Sequence, residues 1–131
     1  GTFYNRAFSD KEKNAVLKTI VEVEAISQYA EAGNATEDKV FLLSYSEALK
    51  YFNSDYSRTC QLTPYAKALN DRIASQRSGT HWWWLRTPGF DNDQAAFVVW
   101  NGEVSDYGAW FDDMNHYGVR PVIWVDISGS N

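Results

Sequence analysis

Three consecutive tryptophans, Trp82-Trp83-Trp84, run into Leu85-Arg86-Thr87-Pro88-Gly89 and constrain the fold more than any other stretch. An extended backbone sends successive side chains to opposite faces, so Trp83 points away from Trp82 and Trp84. Each indole carries a large apolar area, so at least two of the three belong to core or scaffold. The pattern predicts a strand over 82–86, stopped by Thr87-Pro88-Gly89. All six tryptophans lie between His81 and Ser128, and Trp84 and Trp124 are expected among the buried rings.

Short strands dominate the chain beyond Gly89. Ala95-Ala96-Phe97-Val98-Val99-Trp100 reads as a second strand, Asn101-Gly102 as a hairpin turn and Glu103-Val104-Ser105 as the returning strand. A last strand is expected over 119–127, with Pro121 near its start where proline is tolerated. The first half is different. Ser9-Asp10-Lys11-Glu12 is a capping box, and Val16, Leu17, Ile20 and Val21 come after it at near-helical spacing, so a helix is expected over 10–23. Residues 31–38 read as a loop, 39–44 as a short buried strand and 46–52 as a helix capped by Ser44 or Ser46. Residues 53–63 read as a loop. Thr63-Pro64 opens a helix reaching about Ile73, and 75–80 is again a loop. Helices ahead of a small antiparallel sheet with long loops define an α+β class.

With 131 residues, 44% of them hydrophobic, the chain suits a single domain over 1–131 with one core. Cys60 is the only cysteine, which excludes an intrachain disulfide and a cysteine-built metal site. No apolar run is long enough to cross a membrane, so no membrane insertion is expected. The start, Gly1-Thr2-Phe3-Tyr4, lacks the basic and apolar stretches of a signal peptide. Net charge is −5 and unevenly spread. Residues 1–86 carry eleven basic side chains against ten acidic ones, whereas residues 87–131 set Arg120 alone against seven carboxylates. Phosphates would be repelled there, so nucleic acid is not an expected partner.

The acidic half is also where large aromatics sit among turn residues. Trp100, Tyr107, Trp110, Phe111 and Tyr117 are interleaved with Asp91, Asn92, Asp93, Asn101, Asp106, Asp112, Asp113, Asn115 and His116. Aromatic anchors with short polar neighbours are the composition of recognition surfaces. These fourteen residues are therefore the candidate ligand-binding set. The competing reading for each ring is inward packing, and for each carboxylate a solvated turn. Arg86 and Arg120 are read as structural, their donors holding loop carbonyls or carboxylates. No calcium loop, zinc set or nucleophile–histidine arrangement is evident. No catalytic residue, metal or cofactor is expected.

The blocks Phe41-Leu42-Leu43-Ser44, Trp83-Trp84-Leu85-Arg86-Thr87-Pro88-Gly89, Ala95-Ala96-Phe97-Val98, Asn101-Gly102-Glu103-Val104 and Gly118-Val119-Arg120-Pro121-Val122 together resemble one bacterial family of domains of unknown function. Its members carry W-W-L-R-[ST]-P-G, A-x-x-V, G-x-V and G-V-R-P-[AV] blocks, and the resemblance covers roughly residues 3–127. The family looks like a branch of the C-type lectin fold, similar in outline to the formylglycine-generating enzymes. It also resembles the variable proteins of diversity-generating retroelements, which display hypervariable residues near the C terminus. Two departures stand out. Members usually have a further strand and loop ahead of the Phe3-Tyr4-Asn5 segment, so the resemblance implies either a trimmed chain or a missing strand supplied by a second chain or segment. The formylglycine-generating enzymes bind copper through two cysteines, and this chain has one. The resemblance thus implies a non-enzymatic binding or display domain that takes a protein or cell-surface ligand through 91–117. A carbohydrate-binding module is the alternative, and an enzyme of the formylglycine-generating type is disfavoured. The compartment stays open, with the cell surface or exterior favoured.

Overall fold

Ser9 starts the first well-capped helix by the chemistry its neighbours provide. In the computed structural model, which describes residues 2–69, 79–110 and 117–128, the Glu12 amide donates to the Ser9 hydroxyl at 3.4 Å and the Ser9 amide to the Glu12 carboxylate at 2.8 Å. A short helix α1 (Thr2–Ala7) precedes it, and the capped helix is α2 (Asp10–Ala15). It ends eight residues short of the expected Val23. Val16 is already extended, at φ −76 and ψ 120, and residues Thr19–Val21 form strand β1, antiparallel to β2 (Thr36–Asp38). The β-branched side chains of Val16, Thr19, Ile20 and Val21 suit extended backbone. A distant segment also supplies what a helix could not use: the Leu17 amide donates to the Trp124 carbonyl at 2.9 Å, and the Asp126 amide to that of Ala15 at 2.8 Å. The 31–38 loop likewise contains a strand.

Phe41 and Leu43 are buried on either side of half-buried Leu42, as a strand would have them. Their backbone pairs only singly, Phe41 with Val122 and the Leu43 carbonyl with the Arg86 amide. Ser44 then caps α3 (Tyr45–Tyr51) through a second capping box with Glu47. The 53–63 stretch is not all loop, since it contains α4 (Asp55–Arg58), capped by Ser54. Thr63 accepts from the Ala66 amide at 3.1 Å and opens α5 (Pro64–Leu69). The predicted remainder of that helix lies outside the described residues.

The main sheet has the order β3 (Trp83–Pro88), β4 (Gln94–Val98), β5 (Val104–Trp110), all antiparallel. Its inner face carries Trp83, Leu85, Ala96 and Val98, which form the core with Leu43 and Ala48. Ile26, Tyr45, Phe52, Cys60, Val104 and Val122 pack around it. Burying a side chain such as Leu43, Leu85 or Val98 contributes about 1.5–3 kcal/mol. Trp83 is 1% exposed, and its indole N–H donates to the Arg58 carbonyl at 3.1 Å. Trp82 and Trp84 are half-buried on the outer face, as the alternation required, so Trp84 is not the fully buried ring expected of it.

Strand β3 does not stop at Arg86. It continues to Pro88, which pairs with Ala95 across an irregular register. A proline is accepted there because the ladder is already broken. Gly89 then lets two backbones approach: a Cβ on it would lie 2.8 Å from the Gly108 Cα. The turn back from β4 also differs from an Asn-Gly hairpin. No described non-glycine residue has positive φ, so Asn101 is not left-handed. Trp100 and Asn101 form the centre of the turn, closed by the Gly102 amide on the Val99 carbonyl at 2.8 Å, and Gly102 comes next at φ +92. This is a three-residue loop with glycine in the left-handed position.

The expected last strand over 119–127 is a thread rather than a sheet strand. Gly118 pairs with Trp83, Val122 with Phe41 and Val125 with Val16. Each contact is an isolated bridge, and together they tie the sheet, the 41–43 stretch and the end of α2.

Candidate functional site

The fourteen candidate residues do not gather at one place. Trp100 and Asn101 occupy the 99–102 turn, at the end of the hairpin where Val98 pairs with Val104. That turn is docked on α4: the Arg58 Nε donates to the Gly102 carbonyl at 2.8 Å. Trp110 is at the other end, opposite Gln94. Strands rise about 3.3 Å per residue, so the two exposed tryptophans are separated by the length of β4. Tyr117 lies on the outer face, its ring 4.3 Å from Trp84, 5.7 Å from Trp82 and 5.0 Å from Phe97. It is half-buried and closes over that face. Phe111, Asp112, Asp113, Asn115 and His116 lie outside the described residues.

The remaining members meet around Tyr107. The β4–β5 register slips between Ala95 and Phe97, which pair with Ala109 and Ser105. Asp106, Tyr107 and Gly108 therefore bulge, with Gly108 at φ +87. The bulge carries the Tyr107 ring outward, 5.4 Å from Phe90 at an interplanar angle of 21°. Phe90 in turn lies 4.7 Å from Tyr29. The Phe90 amide donates to the Tyr107 carbonyl at 2.8 Å, which locks the turn to the bulge. The three rings are exposed by 56% (Tyr29), 37% (Phe90) and 65% (Tyr107). Asp91 and the exposed Asn92, Asp93 and Asp106 are close in sequence to Phe90 and Tyr107. Asn92 is partly structural, since its Oδ1 accepts from the Glu31 amide at 2.8 Å.

Tyr29 and Phe90 were missed by sequence reasoning. Phe90 had a signal, being the large ring directly after the Pro-Gly turn. Tyr29 had none, because only the fold brings it across the chain. A separate pocket of about 480 Å3 opens beside the outer face, lined by Leu42, Trp84, Leu85, Arg86, Pro88, Gln94 and Ala95. It is apolar apart from Arg86 and Gln94.

Both arginines serve the scaffold. Arg86 donates to the carbonyls of Glu22 and Leu42 at 2.8 and 2.7 Å and to both carboxylate oxygens of Glu47. Arg120 lies over the rings of Phe52 and Trp83, at 4.9 and 5.1 Å. Trp124 departs from expectation. It is 43% exposed and meets Tyr51 edge-on at 5.6 Å, because the 119–127 thread lies on the surface instead of inside a sheet. Among the described residues no three His, Cys, Asp or Glu side chains converge on a point that could hold a metal. No helix described is long and apolar enough to cross a membrane.

Fold and surface together define an α+β domain with two small antiparallel sheets and an exposed aromatic stack at one end of the larger. A family model described as a domain of unknown function, DUF6273, matches residues 1–127, and the chain belongs to that family. No curated protein and no solved structure matches it.

Proposed function

We propose that this chain is a non-enzymatic binding domain of C-type-lectin-like fold that takes a protein or cell-surface ligand on the surface built around Tyr107. The observation that carries this reading is the exposed stack of Tyr29, Phe90 and Tyr107. Three large rings from separate segments share one apolar patch, with Asp91, Asn92, Asp93 and Asp106 close to it in sequence. Apolar patches with polar rims on small domains mark interaction sites. Rigid rings lose little conformational freedom on binding. The acidic surroundings favour a neutral or basic partner. The position of Trp100 in the far turn narrows the surface to the Tyr107 end of the sheet, where Trp110 pairs with Gln94.

A carbohydrate ligand is the second reading. The near-parallel rings of Phe90 and Tyr107 favour it, since flat aromatic faces stack on sugar rings. A pull-down with wild type against Tyr107→Ala and Trp110→Ala, run beside a glycan array, separates the two. Loss of a protein partner in the variants supports the first reading, and loss of glycan binding supports the second. Identical partner lists and glycan profiles for all three chains would sink both. We further propose that 91–117 is diversified by a retroelement. A reverse-transcriptase gene beside the coding locus and a near-copy of the 3′ segment differing at adenines are the expected finding, and a locus with neither removes this part.

A further inference from the structure

Backbone hydrogen bonds along the 122–126 thread all leave from one edge. The Phe41 amide donates to the Val122 carbonyl at 3.1 Å, and the Val122 amide to that of Phe41 at 2.8 Å. The Trp124 carbonyl accepts from the Leu17 amide, and the Asp126 amide donates to the Ala15 carbonyl. Extended backbone in an antiparallel pair points the groups of alternate residues to opposite edges. Ile123, Val125 and Ile127 therefore turn theirs the other way. Among the described residues nothing hydrogen-bonds to the backbone of these three.

The side chains on that edge are uncovered as well. Val125 is directly opposite Val16, and residues opposed across an antiparallel pair put their side chains on one face. Val16 is 5% exposed, yet Val125 is 47% exposed and Ile127 77%. Val125 is thus covered on the flank toward Val16 and open on the flank toward the free edge. Unpaired backbone groups beside uncovered aliphatic side chains make a template to which another strand adds. Proteins guard such edges with charge. Between Pro121 and Ile127 the one charged side chain is Asp126, which alternation sends to the opposite face.

We propose that this edge takes a second copy of the chain, paired antiparallel along 123–127 about a two-fold axis at Val125. Ile123-Trp124-Val125-Asp126-Ile127 reads the same in both directions at its odd positions, as a self-complementary contact requires. Val125 faces Val125 of the partner subunit and exchanges backbone bonds with it. Ile123 faces Ile127 of the partner subunit, and Trp124 faces Asp126 of the partner subunit, so no like charges meet. β-Branched pairs of this kind stabilise cross-strand packing. Other registers are worse. An axis at Asp126 would set two carboxylates face to face, and one at Trp124 or Ile123 would bring Pro121, which has no N–H, against Ile127 or Val125. One short strand falls well below the roughly 800 Å2 per partner of a standard interface, so the dimer is weak, with Kd of about 10–100 µM. The contact shares no residue with the Tyr107 surface, and neither reading depends on the other.

Sedimentation velocity of the full chain between about 5 µM and about 1 mM is expected to pass from monomer to dimer. Over the same range the Ile123 and Val125 amides are expected to shift in ¹H–¹⁵N spectra and to exchange more slowly with solvent. Val125→Lys and Val125→Glu each set like charges across the axis. Either variant alone is expected to weaken the dimer about tenfold or more, and an equimolar mixture of the two to recover it to within about threefold of wild type. Thermal melts show whether the variants are folded, and the wild-type amides carry the test if one is not. A chain that stays monomeric at the highest concentration, the result expected if the edge takes an unrelated extended segment instead, overturns the proposal. So does a dimer whose Ile123 and Val125 amides are unchanged, or a Lys/Glu mixture of folded variants that associates no better than either alone.

Discussion

The two carboxylate oxygens of Glu47 are held by the two terminal nitrogens of Arg86, with Nη2 to Oε1 at 2.9 Å, and this pair clamps the outer face of β3 to the first turn of α3. Glu47 also accepts from the Ser44 amide at 2.9 Å, so one side chain closes the capping box and anchors the sheet. Burial pushes the Glu47 carboxyl up. The Arg86 hydrogen bonds, the Ser44 amide and the Arg86 charge outweigh that and leave its pKa below the ordinary carboxylate value. Nearby Glu24, whose burial is likewise outweighed by bonds from Ser46, Ser44 and Thr87, is also lowered.

A carboxyl with a depressed folded-state pKa contributes stability that is fully present above its unfolded pKa and is lost as pH falls through the folded value. Urea unfolding is therefore expected to give a plateau above about pH 5 and a decline below about pH 4. Glu47→Gln should lower stability by about 2 kcal/mol at neutral pH and flatten the decline. Equal pH slopes for variant and wild type would show that the pair does not control acid stability.

Trp83, not Trp124, is the ring on which stability depends. Trp83→Ala removes a fully buried indole and its bond to the Arg58 carbonyl, at a cost of about 3–5 kcal/mol. Trp124→Ala removes a half-covered ring and should cost about 1–2 kcal/mol. Thermal melts of the two variants decide it, and a larger loss for Trp124→Ala would place the core elsewhere.

The hairpin turn tolerates no side chain at Gly102. Its φ of +92 is strained for other residues, and a Cβ there would overlap the Asp55 carbonyl. Gly102→Ala is expected to cost about 2 kcal/mol or more, and to release α4 from the turn. Asn101→Ala loses only the bond from the Glu103 amide at 3.1 Å and should cost about 1 kcal/mol or less. Chemical denaturation of both variants checks the order of the two effects.

Side chains around the aromatic stack should exchange freely, with one exception. Replacing Asp91, Asp93 and Asp106 together is expected to change stability by less than about 0.5 kcal/mol per site. Asn92→Ala should cost about 1 kcal/mol, because the Glu31 amide loses its acceptor. Tyr107→Ala should leave the fold intact while weakening ligand binding by about 2 kcal/mol or more. Differential scanning calorimetry reads the stability part, and aggregation of the triple variant would argue against a tolerant display surface.

The features the sequence determined by itself are those whose partners sit within four residues. Ser9 with Glu12, Ser44 with Glu47 and Thr63 ahead of Pro64 each set a helix start through bonds to nearby amides. The alternation of Trp82, Trp83 and Trp84 assigned faces from strand geometry alone, and the turn at Asn101-Gly102 was placed to within one residue. Tertiary structure decided what depends on competition between distant segments. α2 ends at Ala15 because the backbone near Val125 offers bonds to Ala15 and Leu17, and no periodicity in residues 10–23 encodes that offer. The 118–127 stretch became a surface thread, with Trp124 uncovered, because its partners are Trp83, Phe41 and Val16, each reached singly. Tyr29 joined Phe90 and Tyr107 for the same reason: the gain from stacking rings is realised only after the loops between them have closed, and loop closure is a property of the whole chain.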